Sequence, residues 1–185
     1  MNSSRILLLT GQTGSGKTST LKKLLPELKS SGIRAGGILA PGRLLASGEK
    51  EFDLELIPGP GKYFLSSRTP ADSRSGWQPI GGFYFNPEAV DKGLQHLRSL
   101  PGKQFQLYLL DEIGPFELKG LLWAQVIPDL LATGTPMIWT VRKRILELVL
   151  EKWGLQNVVV VYLEHGDTEK TKEQIGLWIK KTVQA

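Results

Sequence analysis

The octapeptide Gly11-Gln12-Thr13-Gly14-Ser15-Gly16-Lys17-Thr18 fills every fixed position of G-x-x-x-x-G-K-[ST], and it stands where such a segment has structural meaning. The apolar run before it, Ser4 to Thr10, reads as a buried strand. After it, Thr18 to Lys29 carries Leu21, Leu24, Leu25 and Leu28 at helical spacing, and Ser30-Ser31-Gly32 stops the helix. A strand, a glycine-rich loop and a helix in this order make a polyanion cradle. The glycines let backbone N–H groups turn inward with no Cβ in the way, and the helix N-terminus adds the positive end of its dipole. Gly11 to Thr18, with Ser19 in the first turn, are therefore the candidate nucleotide-binding residues. Lys17 is placed to meet the β- and γ-phosphates, and the Thr18 hydroxyl to ligate Mg²⁺.

The rest of the chain continues the alternation. Strands are expected at Ala35 to Ala40, Gln106 to Asp111, Met137 to Val141 and Val158 to Leu163. Helices are expected at Pro87 to Leu100, opened by Asn86, at Leu118 to Ala132 with a kink at Pro128, at Lys143 to Trp153, and from Thr168 onward. Arg43 to Ala46 and Glu51 to Ile57 flank Ser47-Gly48-Glu49-Lys50, a hairpin signal. Residues 58–82 gather Pro, Gly and Ser and read as an irregular loop or lid, with Phe83 to Phe85 a short strand beyond it. Apolar strands alternating with amphipathic helices imply an α/β fold: a three-layer αβα sandwich whose mainly parallel sheet carries an antiparallel hairpin extension. Its 185 residues suit one domain over 1–185.

Composition removes several chemistries. With no Cys, disulfides and thiolate metal sites are excluded, and with two His an imidazole-rich zinc site is not expected. No run approaches the ~20 apolar residues of a membrane span, and Ile6 to Leu9 is too short for a signal-peptide core, so a cytoplasmic location is expected. The net charge of +5 is spread over small groups such as Lys22-Lys23 and Arg142-Lys143-Arg144. That scatter, with no aromatic-basic reading motif, argues against nucleic acid and for polyanionic nucleotides.

In Leu107 to Leu118, LYLLDEIGPFEL, two acids follow an apolar run. Adjacent carboxylates repel and do not belong in a core, so the strand tip is expected to emerge into a cleft. In a parallel sheet Thr10 and Asp111 end on the same carboxyl-end edge, where ligands bind. Asp111 is then expected to hold a water of the Mg²⁺ shell and Glu112 to orient or deprotonate an attacking water. Arg142, just past the strand ending at Val141, is a candidate to stabilise transition-state charge. Glu117 is expected to hold the loop after Glu112 or to add a second carboxylate. Arg43, Arg68 and Arg74 read as solvated loop charges more than as groups closing over nucleotide. Trp123, Trp139, Trp153 and Trp178 fit core positions better than base-stacking ones, Trp77 in the irregular loop is the one tryptophan left as a candidate to stack on a base, and His96 and His165 read as surface residues.

The glycine-rich loop, DEIGPFEL, and GGILAP followed by a hairpin ending in Phe52-Asp53 resemble the THEP-type nucleoside-triphosphatase family over roughly residues 4 to 162. That family's acidic motif is matched by Asp111, Glu112, Ile113, Gly114, Phe116, Glu117 and Leu118. The resemblance implies a small P-loop NTPase hydrolysing nucleoside triphosphates, ATP and GTP among them, with loose base preference. The chain departs at Glu51, where the family usually has Gly, at Gly82, where a basic residue is common, and at Glu164-His165-Gly166-Asp167, where an Asn-Arg pair is usual. These positions bear on base recognition and turnover rather than on phosphate chemistry. The expectation is Mg²⁺-dependent hydrolysis to diphosphate and phosphate, with Glu112, Lys17 and Arg142 as catalytic residues and Thr18 and Asp111 at the metal. Two alternatives use the same loop: a kinase for a nucleoside, nucleotide or other small acceptor, and a slow nucleotide-dependent binding module. No motif names a protein partner.

Overall fold

Side-chain alternation along the central strands decides the layers of this computed structural model, which describes residues 4–69, 76–164 and 168–184. On β1 (Ile6–Gly11), Leu7 and Leu9 face one way and Leu8 the other, and all three are fully buried. Leu7 and Leu9 join Leu107, Leu109 and Ile138 against two helices, α1 (Lys17–Ser30) and α6 (Thr168–Thr182). Leu8 joins Tyr108, Leu110 and Trp139 against α2 (Pro87–Arg98), α4 (Ile127–Ala132) and α5 (Leu146–Lys152). A strand buried on both faces has to be apolar throughout, which is why ILLL does not alternate with polar residues. Truncating any one of these leucines to Ala is expected to cost about 2–5 kcal/mol.

The described strands form one ten-stranded sheet. Its parallel part runs β10 (Val159–Tyr162), β1, β9 (Met137–Arg142), β8 (Leu107–Ile113), β2 (Ala35–Leu39). Beyond β2 the sheet turns antiparallel through β4 (Lys50–Ile57), β5 (Lys62–Ser67), β7 (Phe83–Phe85) and β6 (Gln78–Ile80), with β3 (Gly42–Leu44) also on β4. The expected hairpin is β3–β4, and Gly48 at φ 83 turns it. Helix α2 starts as its sequence predicts: the Asn86 side chain accepts the Glu88 N–H at 3.1 Å, and Pro87 needs no N–H in the first turn. Among the described residues no helix is long and apolar enough to cross a membrane.

Three expectations need correction. Residues 58–82 are not one irregular loop: β5 and β6 extend the antiparallel sheet, and Leu65 is buried in the core. Composition hid them because β6 is a three-residue edge strand, where Pro79 is tolerated because no strand among the described residues pairs on its outer side. The helix expected over 118–132 is broken into α3 (Pro115–Leu118), a 3₁₀ turn at Leu122–Gln125, and α4. Gly120 at φ 79 and Leu122 at φ 48 interrupt it, and Pro128 opens α4 instead of kinking a longer helix. His96 is no plain surface residue either. It is half-buried with Nε2 2.9 Å from the Ile57 carbonyl oxygen, and burial lowers its pKa.

Candidate active site

The loop between β1 and α1 is shaped by two glycines that nothing else can replace. Gly16 caps α1 at φ 97, a left-handed conformation that L side chains resist. At Gly11 the constraint is space: a Cβ would lie 2.6 Å from the Leu163 carbonyl oxygen and 2.7 Å from Ser15 Oγ. Lys17 opens the helix, is buried, and donates from Nζ to the carbonyl oxygens of Gln12 at 2.9 Å and Gly11 at 3.4 Å. Burial lowers its pKa, against which Glu112 and Asp111 hold the charge. Gln12, Thr13, Gly14 and Ser19 stay exposed at the loop's rim, while Ser15 Oγ is buried without a hydrogen-bond partner among the described residues.

Register brings the remaining groups to this loop. Gly11 lies opposite Arg142 at the end of β9. Between β8 and β9 the pairing slips: Leu110 faces Trp139 and Ile113 faces Val141, so Asp111 and Glu112 together oppose Thr140. This is a bulge, and Glu112 takes φ 57 in it. Two adjacent acids that would otherwise point to opposite faces are thereby both brought to the edge. Thr140 holds the arrangement. Its hydroxyl donates to Asp111 Oδ1 at 2.5 Å and accepts the Glu112 backbone N–H at 2.7 Å.

Asp111 is fully buried. Its other oxygen accepts the Ala40 N–H at 2.9 Å, and Thr18 supplies a further side-chain hydrogen bond. Burial and then the neighbouring Glu112 push the Asp111 pKa up, and the bonds from Thr140, Ala40 and Thr18 pull it back. Glu112 reaches Arg142, Oε2 to Nη2 at 3.2 Å, each side chain about a quarter exposed at 26%. Arg142 Nε is buried and has no partner among the described residues, so its donor capacity is only partly used.

These groups fit a magnesium–nucleotide. A hydroxyl and a carboxylate in contact at the start of α1 are hard oxygen donors of the kind Mg²⁺ prefers. Among the described residues no cluster of three or more acidic or histidine side chains exists to bind a metal alone, so phosphate and water would complete its shell.

Glu117, left open by the sequence, holds the loop. It is 1% exposed, and Oε2 accepts the Gly114 N–H at 2.8 Å, tying off α3. Burial raises its pKa to about 8. Arg43 is exposed but engaged across β3–β4, bonded to Glu51 at 2.8 Å and near Asp53 at 3.6 Å. Glu51 is thus an ion-pair partner across β3–β4. Trp77 stands edge-on to Phe64, centroids 5.0 Å apart, and lines neither hollow beside the loop. Trp123, Trp139 and Trp178 are buried and Trp153 packs edge-on against Trp139, as core residues should. Arg74 and His165 lie outside the described residues. Sequence reasoning missed Thr140 and the Ala40 N–H. Thr140 had a signal, a lone hydroxyl inside the apolar strand MIWTV; a backbone donor has none.

Two hollows are lined by residues of this edge. One, about 240 Å³, is lined by Gly11, Gln12 and Ser15 of the loop with Lys143, Tyr162 and Glu164. The other, about 260 Å³, lies toward the antiparallel strands and includes Glu112 and Arg142 but no residue of 11–19.

A family model described as NTPase matches residues 6–175. The Nucleoside-triphosphatase THEP1 of Thermotoga maritima is 30% identical over 158 residues, covering 84% of each chain. The chain belongs to the THEP1 nucleoside-triphosphatase family. The solution structure of a human cancer-related nucleoside triphosphatase superposes with a TM-score of 0.74 at 25% identity, over 97% of this chain and 99% of that one. THEP1 from Aquifex aeolicus shares the fold, TM-score 0.68 at 21% identity over 92% and 96%. The αβα architecture expected of a THEP1 enzyme is the one this chain has, and its glycine-rich loop and acidic motif occupy one edge of the sheet.

Proposed function

We propose that this nucleoside-triphosphatase cleaves the β–γ phosphoanhydride of Mg²⁺-bound nucleoside triphosphates at the sheet edge, with loose selection among bases. The reading has the whole chain, 1–185, acting as one P-loop domain in the cytoplasm. Residues 11–19 hold the phosphates, and Lys17 meets the β- and γ-oxygens. Thr18, and Asp111 through a water of its shell, would hold Mg²⁺, which when bound would neutralise charge on the phosphate oxygens. Glu112 orders the attacking water and takes its proton as oxygen bonds to the γ-phosphorus and the bridge to the β-phosphate breaks. Arg142 turns its unused donors to the charge growing on the transferring group.

The observation that carries this reading is the Thr140-bound bulge, which sets Glu112 beside Arg142 while Asp111 remains buried next to Thr18. Division of labour between adjacent acids needs such a break in alternation. Loose base choice is supported by the sequence, which contains no guanine-reading Asn-Lys-x-Asp.

The test is a γ-phosphate release panel over ATP, GTP, CTP and UTP, with and without Mg²⁺, for the parent and Glu112→Gln. Catalytic efficiencies should lie within about 1.4–2.8 kcal/mol of each other, ten- to a hundredfold. Glu112→Gln keeps shape and one acceptor, so nucleotide should bind about as before while turnover falls by roughly 10²–10⁴. Parent-like turnover in Glu112→Gln removes Glu112 from the mechanism. A preference of thousands for one base removes loose selection, and Mg²⁺-independent release removes the metal.

A further inference from the structure

The larger of the two hollows is lined by no residue of 11–19, yet it includes Glu112 and Arg142. Its wall is aromatic. Phe83 lies between Phe52 and Phe116, at centroid distances of 5.8 and 6.2 Å, and Phe116 meets Phe85 at 5.2 Å. Phe52, Phe83 and Phe116 are only half-buried, so part of this apolar surface remains open. Its rim is cationic: Arg68, Lys119 and Arg144 are exposed there, and none has a carboxylate partner among the described residues. Arg68 already lies over the Phe83 ring at 4.8 Å, the way a guanidinium stacks on a flat face.

Aromatic faces bounded by unpaired cations select a ligand with a flat apolar body and an anionic end. Size narrows it further. At about 260 Å³ the hollow lies near the low end of the ~300–1,000 Å³ range of small-molecule sites, which suits one ring system with a single anionic group better than a triphosphate. In sheet order the tips of β9 and β8, which carry Arg142 and Glu112, lie between β1 with its glycine-rich loop and the antiparallel strands that wall this hollow.

We propose that this pocket is a second-ligand site for a nucleoside monophosphate, its base against Phe83 and Phe116 and its phosphate among Arg68, Lys119 and Arg144. The proposal rests on the reading of Glu112 as the group that orders water. A ligand seated beside Glu112 displaces that water, so hydrolysis slows without competition for the triphosphate.

AMP titrated into the protein saturated with Mg²⁺ and a non-hydrolysable ATP analogue is the direct test. One AMP should bind, and phosphate release from ATP should fall with AMP in a pattern that excess ATP does not reverse. The Lys119→Ala, Arg144→Ala double variant should weaken AMP at least tenfold and leave the analogue's affinity unchanged. Inorganic phosphate, which lacks the ring, should bind at least tenfold more weakly than AMP. The proposal is overturned if AMP does not bind the saturated protein, if the analogue expels it, if the double variant binds it as well as the parent, or if phosphate alone binds equally. The two readings fail separately. Should the analogue not bind, the nucleotide reading fails, and AMP titrated alone against parent and double variant still decides whether the pocket takes it.

Discussion

Replacing Thr140 by Val removes one hydroxyl from between two acids and leaves the volume of the strand unchanged. The structure sets the size of the effect. The hydroxyl donates to Asp111 Oδ1 at 2.5 Å and receives the Glu112 N–H at 2.7 Å, and Thr140 and Asp111 are both fully buried. Leaving each of the two partners unsatisfied costs about 1–3 kcal/mol, so the variant should lose roughly 2–6 kcal/mol of stability with the urea m-value unchanged. The second consequence is geometric. Glu112 sits at φ 57, a conformation that costs about 1–3 kcal/mol and persists only while its surroundings impose it. Without the Thr140 acceptor its backbone can relax and carry the carboxylate away. A displacement on the order of 1 Å is enough to lower turnover roughly a hundredfold. Phosphate release under saturating nucleotide, at a temperature where the variant is fully folded, measures this. Thr140→Ser, which keeps the hydroxyl, should restore most of it. If Thr140 acts through Glu112, adding Thr140→Val to Glu112→Gln should cost little further turnover, because the group being positioned has already gone. Full additivity of the two losses, or parent turnover in Thr140→Val alone, would refute the positioning role.

Lys17→Ala should cripple both Mg–nucleotide affinity, read by calorimetric titration, and hydrolysis, because in the proposed mechanism its cation meets the phosphates directly; unchanged affinity with unchanged turnover would take the loop out of the mechanism. Asp111→Asn should weaken nucleotide binding more in the presence of Mg²⁺ than in its absence, since in the proposed site it removes a charge facing the cation; equal weakening in both titrations would move the metal elsewhere. Glu117 predicts a pH dependence. Its folded pKa of about 8 exceeds the ordinary 4.5, so the folded state holds a proton that the unfolded chain releases above pH 4.5, and stability from this group falls as pH rises from there to about 8. Glu117→Gln fixes the neutral form: urea unfolding should show the variant gaining on the parent by up to roughly 4 kcal/mol between pH 5 and 8.5, and a constant difference would mean that Glu117 is ionised throughout.

What the sequence made legible followed from how local each signal was. The glycine-rich loop and the Asn86-Pro87 helix start are written in consecutive residues, because their hydrogen bonds close within a few positions. Buried strands were legible for a similar reason: ILLL and LYLL must be apolar on both faces wherever their neighbours lie. The misreadings arose where a partner distant in sequence decides the outcome. Strand β5 exists because β4 offers it an edge, and Pro79 is harmless only because β6 lies at the rim. Arg43 is occupied because register sets Glu51 opposite it. The same distinction runs through the site. Asp111 and Glu112 announce themselves as an adjacent pair, but strand alternation alone would send them to opposite faces. What overrules alternation is a bulge enforced by a hydroxyl 29 residues from Asp111. The acids of this site are therefore readable in one dimension and their geometry is not, which makes Thr140 the residue whose replacement best separates having the right groups from holding them in place.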